Sequence, residues 1–302
     1  MVRIQNVLCP VDFSASTARQ VATAAELSRV FGARLVLHHN ITSAPIGAGV
    51  GWMYASEVKR DFIAEDEVEL HLHRLIDRIE GVSADACVTR GLPWTAVVNA
   101  AKAEDAQLVV IATHGTANED HASVTEQVLE DAGSQVLVLH ETGDAHDPHF
   151  ARGQGTREAF LVPTDFSRDA QPALDMAFEL ARVMPIDLHL LHIESLRQVE
   201  KEPTITKLDQ RRLDAMIPDD LRQVVTVHVT TGDPGHEIPA TAERLGVSCI
   251  VMGEHARTPL KRWFTHDTSR DVLHFAHCPI WYVPAATPVL VPVKAKAATA
   301  SA

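Results

Sequence analysis

Two carboxylates at the ends of matching apolar runs are the residues of this chain best placed to do chemistry. Asp12 stands in VLCPVDFS (residues 7–14) and Asp165 in FLVPTDFS (residues 160–167), 153 residues further on. Each follows a buried-strand pattern and leads through Phe-Ser into a helical one. A carboxylate there can accept hydrogen bonds from a polar ligand, or it can bond nearby backbone N–H groups, as Asp at such junctions often does. Other matched pairs follow: His39 with His192, Gly91 with Gly232, and Thr113-His114-Gly115 with Glu254-His255-Ala256. Ser14 and Ser167 lie beside the carboxylates but have no base or oxyanion arrangement, so they read as helix N-caps. No residue set looks catalytic, and the chain reads as a non-enzyme.

The 17 histidines raise the question of a metal. Strong sites need ligands at fixed local spacing, such as i and i+4 of a helix, and none occurs: His71 and His73 diverge on a helix, and His38 and His39 face opposite sides of a strand. His39 with His114, and His192 with His255, are the pairs that strand ends could bring together. No metal site is expected.

These residues are positioned by alternating strands and helices. Residues 4–11 read as a buried strand and Ser14 as the cap of a helix whose Ala18, Val21, Ala22 and Ala25 form a core-facing stripe. Arg34–Asn40 is a second strand, about 56–80 a long helix, Cys87–Arg90 a third strand, and Pro93 opens the next helix at its first turn. Leu108–Ala112 is a fourth strand, Ser123–Ala132 a helix and Val136–Leu139 a fifth strand. The order then repeats: strands at 160–164, 187–192, 224–231, 249–253 and 280–283, with helices from Ser167, Pro234 and about Asp267. Pro203 and Pro218 confine the remaining helix to about Ile205–Met216. Such alternation predicts an α/β protein, two tandem doubly wound parallel five-stranded sheets, with ligands beyond the strands' carboxyl ends.

Domains are expected at 1–142 and 157–286, with a linker at 143–156 and a disordered tail at 287–302. The 302 residues are 46% hydrophobic, enough for two cores, and 27 basic against 40 acidic residues give a net charge of −13. That balance argues against nucleic acid or an anionic membrane as partner. Four scattered cysteines indicate neither a disulfide framework nor a zinc ribbon, and no apolar run nears a membrane span, so a reduced cytoplasmic location is expected.

PVDFS and PTDFS, the strand endings LHHN and LLHI, the turns Gly91-Leu92-Pro93 and Gly232-Asp233-Pro234, and VVIATHG and CIVMGEHA together resemble the universal stress protein family in tandem form. So do the closing segments SVTEQVLEDAGSQVLVL and TSRDVLHFAHCPIWYV. The resemblance covers about 4–140 and 158–284. It implies a Rossmann-like, adenine-nucleotide alpha hydrolase-like fold in each half. It also implies adenine-nucleotide pockets at Pro10, Val11, Asp12, His39, Gly115 and Ser123, and at Asp165 and Gly253. Family members pair through the last strand, which implies an internal pseudo-two-fold dimer with 136–139 beside 280–283. The alternative is that Trp281 and Tyr282 fill their own domain's core. A homodimer of the whole chain is a further expectation; protein partners are not legible.

Nucleotide-binding members cradle phosphates with Gly-x-x-Gly, nine residues, then Gly-Ser/Thr. Glycines there let backbone N–H groups approach phosphate oxygens at a helix N-terminus. Here the first copy reads Ala112-Thr113-His114-Gly115, six residues, Ala122-Ser123; the second reads Gly253-Glu254-His255-Ala256, nine residues, His266-Asp267. The expectation is a non-catalytic stress-response protein with degenerate nucleotide pockets and no obligatory cofactor, acting through protein interaction or an unidentified small ligand. The alternative is an ATP sensor or slow ATPase using a weak first site.

Overall fold

The structure, a computed structural model, describes residues 4–42, 65–113, 124–140, 150, 157–201, 204–254 and 266–285. The first half runs β1 (Asn6–Pro10), α1 (Thr17–Phe31), β2 (Arg34–Ile41), α2 (Glu65–Ile76), β3 (Ala84–Arg90), α3 (Pro93–Ala103), β4 (Leu108–Thr113), α4 (Val124–Asp131), β5 (Gln135–His140). The second half runs β6 (Glu158–Pro163), α5 (Gln171–Val183), β7 (Ile186–Glu194), α6 (Leu196–Lys201), α7 (Ile205–Met216), β8 (Val225–Thr231), α8 (Pro234–Leu245), β9 (Cys249–Glu254), α9 (His266–Phe275), β10 (Ile280–Pro284). The short α6 is absent from the sequence expectation, because Leu196 stands exposed and gives no apolar stripe. β3 starts earlier than its apolar signal, since Ala84 pairs with Leu35 and the strand is fixed by its neighbour. The expected tail and most of the expected linker lie outside the described residues.

The two five-stranded parallel sheets are fused into one of ten strands, ordered β3-β2-β1-β4-β5-β10-β9-β6-β7-β8. Helices α1, α2, α5 and α7 cover one face, over Leu37, Val110, Leu190 and Val251. The other face carries α3, α4, α8 and α9 over Val36, Val109, Leu161 and Ile250. Strand interiors buried on both faces explain their continuous runs of Val, Leu and Ile.

β5 and β10 join the halves in antiparallel register, Ile280 opposite Val138, Trp281 opposite Leu137 and Tyr282 opposite Val136. Trp281 is fully buried and its indole Nε1–H donates to Gln135 Oε1 across the seam at 2.9 Å. Its ring meets Phe31 of the first half and Phe150 from between the halves edge-on, at 6.4 and 6.2 Å. On the opposite face, Tyr282 Oη donates to Ser269 O at 3.1 Å. Trp281 therefore belongs to the seam as well as to a core. Trp281→Ala leaves a cavity and orphans the Gln135 carbonyl, and should cost about 3–5 kcal/mol. Chemical-denaturation midpoints measure this; a loss below about 1 kcal/mol, the size of a surface change, would contradict it.

Candidate functional site

In each half the inner strands part before they end. β1 meets β4 only at Val7 with Leu108 and Leu8 with Val109, and β6 meets β9 only at Phe160 with Cys249 and Leu161 with Ile250. Beyond these pairs a crevice opens at the point where strand order reverses. In the first half Gln20 of α1 reaches into it, its amide donating to Pro10 O and, at 2.9 Å, to Val110 O. Buried Ala173 holds the corresponding place in the second half. There the chain before α5 descends onto Gly253, where an added Cβ would lie 2.7 Å from Asp169 O. Close backbone approach accounts for that glycine; Ala112, its counterpart, carries a Cβ.

The Asp-Phe-Ser segments form the same turn twice. Asp12 Oδ1 accepts from Ser14 N at 2.9 Å and from Thr17 Oγ1 at 3.3 Å, and Asp165 Oδ1 accepts from Ser167 N at 2.9 Å. The intervening Phe13 and Phe166 take φ of 58° and 59°, a left-handed conformation costing an aromatic residue about 1–3 kcal/mol. Contacts hold them there. Phe13 stacks on His39 with centroids 4.6 Å apart, and Phe166 meets His192 at 4.4 Å. Each imidazole is anchored in turn: His39 Nδ1–H donates to Val11 O at 2.7 Å and His192 Nδ1–H to Thr164 O at 2.8 Å. The acceptors are carbonyls, so Nδ1 carries the proton.

Ser14 is not the cap of α1. That helix starts at Thr17 with Ser16 as its N-cap, and the Ser14 hydroxyl pairs with that of Ser16 at 2.8 Å. Asp12 holds Ser14's own N–H in an Asx turn, and the Thr17 N–H, three residues on, donates to the Ser14 carbonyl at 3.2 Å instead of to its hydroxyl. Ser167 is not the cap of α5 either: that helix starts at Gln171 with Ala170 as its N-cap, and Ser167 Oγ accepts from Ala170 N at 3.1 Å in the turn before it.

Around this shared unit the halves diverge. The first has two buried apolar residues here, Ile41 at the end of β2 and Val68 on α2. By strand register Glu194 replaces Ile41, and Asp209, one turn before buried Leu213, replaces Val68, one turn before Leu72. Glu194 accepts from Thr206 Oγ1 at 3.2 Å, and burial pushes its carboxyl above the usual carboxylate range. Asp209 Oδ2 lies 3.6 Å from His192 Nε2, and the Arg212 guanidinium sits 3.9 Å above the Phe166 ring. The first half has its own polar chain: His38 Nε2 to Thr89 Oγ1 at 2.7 Å, Thr89 to Asn40 Oδ1 at 3.3 Å, and Asn40 Nδ2 to Gly91 O at 3.0 Å. With Thr89 donating to Asn40, His38 Nε2 donates to Thr89. Gly91 and Gly232 have φ of 142° and 155°, which only glycine adopts readily at these turns.

Pro10, Val11, Asp12 and His39 thus converge in the first half, though the Pro10 carbonyl is taken by Gln20 and the Val11 N–H by His38 O at 2.7 Å. Asp165 and Gly253 flank the second crevice. Gly115 and Ser123 lie outside the described residues, as do His114 and His255. Sequence reasoning missed Phe13, Phe166, Gln20, Glu194, Asp209 and Arg212. Glu194 had a signal, since it falls opposite Ile41 when the copies are aligned at 153 residues. Among the described residues no group of three or more His, Cys, Asp or Glu is placed to hold a metal, and no helix is long and apolar enough to cross a membrane.

A doubled, doubly wound α/β fold with a crevice beyond the strand ends of each half defines the class. The chain belongs to the universal stress protein family, whose profile matches residues 3–140 and 156–284. It is similar to a universal stress protein of Methanocaldococcus jannaschii, 26% identical over 149 residues, covering 41% of this chain and 92% of that one. It is also similar to the universal stress protein YxiE of Bacillus subtilis, 27% identical over 145 residues, covering 41% of this chain and 96% of that one. A universal stress protein from Archaeoglobus fulgidus shares the fold along 93% of this chain and 97% of its own, with TM-score 0.65 and 19% identity.

Two predictions follow from this geometry. Gly253→Ala should lose about 1–3 kcal/mol by overpacking against Asp169, whereas Ala112→Gly should cost only about 1 kcal/mol or less; paired unfolding curves compare them. Burial, then the neighbouring His39, pull the His38 imidazole down to about 4. The unfolded chain titrates it near 6.5, so between those values the unfolded state holds more protons. Stability is therefore full above about pH 6.5 and falls towards pH 4. His38→Gln should flatten that part of the stability–pH curve, and an unchanged slope would show that His38 does not titrate there.

Proposed function

We propose that this chain is a non-catalytic, cytoplasmic stress-response protein whose nucleotide pockets have degenerated. It acts through protein partners or an unidentified small ligand. Its units are domains 1–142 and 157–286, joined by 143–156 and followed by a tail at 287–302, and whole chains associate as homodimers. Membership of the family supports the stress-response role. The observation that carries the degenerate-pocket reading is Gly253: its lack of a side chain is used to admit the Asp169–Ala170 backbone, not to open a cradle for phosphate. Glu194 and Asp209 support it, because carboxylates near the crevice oppose an anionic ligand.

The second reading is a nucleotide sensor or slow ATPase working through the first half. It is favoured by the apolar character of the first half, which has buried Ile41 and Val68 at the positions where the second half has Glu194 and Asp209, so no carboxylates there oppose an anionic ligand. Releasing bound small molecules from freshly purified protein by denaturation, and titrating ATP with Mg²⁺ calorimetrically, separates the two. The proposal expects no stoichiometric nucleotide and weak or no binding. Tight binding retained in Asp165→Asn but lost in Asp12→Ala would establish the second reading, with Asp12→Asn, which keeps the turn acceptor, controlling for folding.

A further inference from the structure

His189 and His228 are 39 residues apart in the sequence and have no local spacing that suggests a site. The β7–β8 register brings them together. Leu191 lies opposite His228 in parallel pairing, so His189, two residues before Leu191, shares its face one diagonal step away. The ring nitrogens meet, His189 Nδ1 with His228 Nε2 at 3.0 Å, with centroids 5.1 Å apart and planes tilted by 46°. Nitrogens this close share either a proton or a metal ion. Two imidazole nitrogens each about 2.0–2.1 Å from one divalent ion, at an angle between right and tetrahedral, stand about 2.9–3.4 Å apart. The observed separation falls in that range.

The fold does not require this pair. The same register places buried Val36 where the second half has His189, and half-buried Cys87 where it has His228. The pair also lies away from the crevice: Leu191 packs with the α8 and α9 side, whereas the neighbours of His192 sit under α7. Both rings are half-buried on the outermost pair of strands, so water reaches them. Burial lowers the proton affinity of each, with Asp187 opposing it at His189, and His189 and Arg244 reinforcing it at His228. Of these neighbours, Asp187 is bonded to Arg157 at 2.6 Å, and Arg244 to Thr241 at 3.0 Å.

We propose that His189 and His228 form a two-histidine site for a borderline divalent transition-metal ion such as Zn²⁺ or Cu²⁺, with water completing the coordination. Imidazole suits these ions, and among the described residues no third protein ligand stands close enough to close the site. The site is therefore open and exchangeable, a capture site rather than a structural centre.

The test uses the full untagged chain, stripped with chelator, titrated with Zn²⁺ by calorimetry and with Cu²⁺ by electron paramagnetic resonance. The expected result is one ion per chain, two-nitrogen hyperfine structure with Cu²⁺, and affinity lower at pH 6 than at pH 7.5 because protons compete. His189→Val, which copies the first half, and His228→Gln should each weaken binding by at least about tenfold, since each removes one of only two protein ligands. Matching thermal unfolding of metal-free wild type and variants shows that folding is intact; a variant that fails this control is replaced by His189→Gln. Absence of stoichiometric binding, or binding undiminished in the double variant, overturns the proposal and leaves the pair as a hydrogen bond between neutral rings.

Discussion

Everything in this molecule depends on the antiparallel pairing of β5 with β10. Each half would otherwise end in a strand whose Val, Leu and Ile side chains are buried and whose outer backbone groups lack partners. The seam removes both edges at once and makes two cores continuous across ten strands. It also fixes direction. Every strand of one half runs parallel within that half and opposite to the other, so the two crevices open at opposite ends of the sheet. The two crevices are therefore separate, and the halves are free to diverge around them while remaining joined in one sheet.

That divergence has a pattern. The Asp-Phe-Ser turn, the left-handed Phe and the carbonyl-anchored His occur in both copies. The strain at each Phe is of the same order as an aromatic stack with its neighbours, so the turn is held at little net cost. Around it, Gln20 of the first half corresponds to Ala173 of the second, Ala112 to Gly253, Ile41 to Glu194 and Val68 to Asp209. The first half keeps an apolar surround and satisfies its crevice carbonyls with a side-chain amide. The second draws its helix down onto the strand and places acids where the first has hydrocarbon. A carboxyl such as Glu194, with one oxygen bonded to Thr206 and the other buried without a partner, is costly as an anion. Its raised proton affinity is the response expected of such a site.

Much of this was legible in the sequence because it is carried by local pattern. The apolar β-branched runs fixed nearly every strand, Pro203 and Pro218 bounded α7, and the doubled Asp-Phe-Ser located both crevices. What escaped depends on register or on tertiary approach. Ser14 looks like a cap until its hydroxyl is seen paired with Ser16 and its carbonyl, not its side chain, meets the Thr17 N–H. Gly253 shows nothing in the sequence of the Asp169 carbonyl that comes down onto it. Arg212 over Phe166, and His189 against His228, join residues 46 and 39 positions apart, where spacing carries no information without the strand and helix placements.

The histidines show how one residue type follows three physical courses in one sheet. His39 and His192 donate Nδ1–H to a carbonyl and offer a ring face to Phe, so they fix the geometry of a turn. His38, on the other side of β2, is buried, keeps Nε2–H for Thr89 and resists protonation because the charged form would be stranded among apolar neighbours. His189 and His228 are half-exposed and point nitrogens at one another, an arrangement in which a proton can be exchanged for an ion without moving the backbone. What separates the three is not the imidazole but the depth of its strand position and the nature of the nearest acceptor. Histidine count alone is therefore silent on metal binding, and the pairing register of β7 with β8 is what gives it meaning.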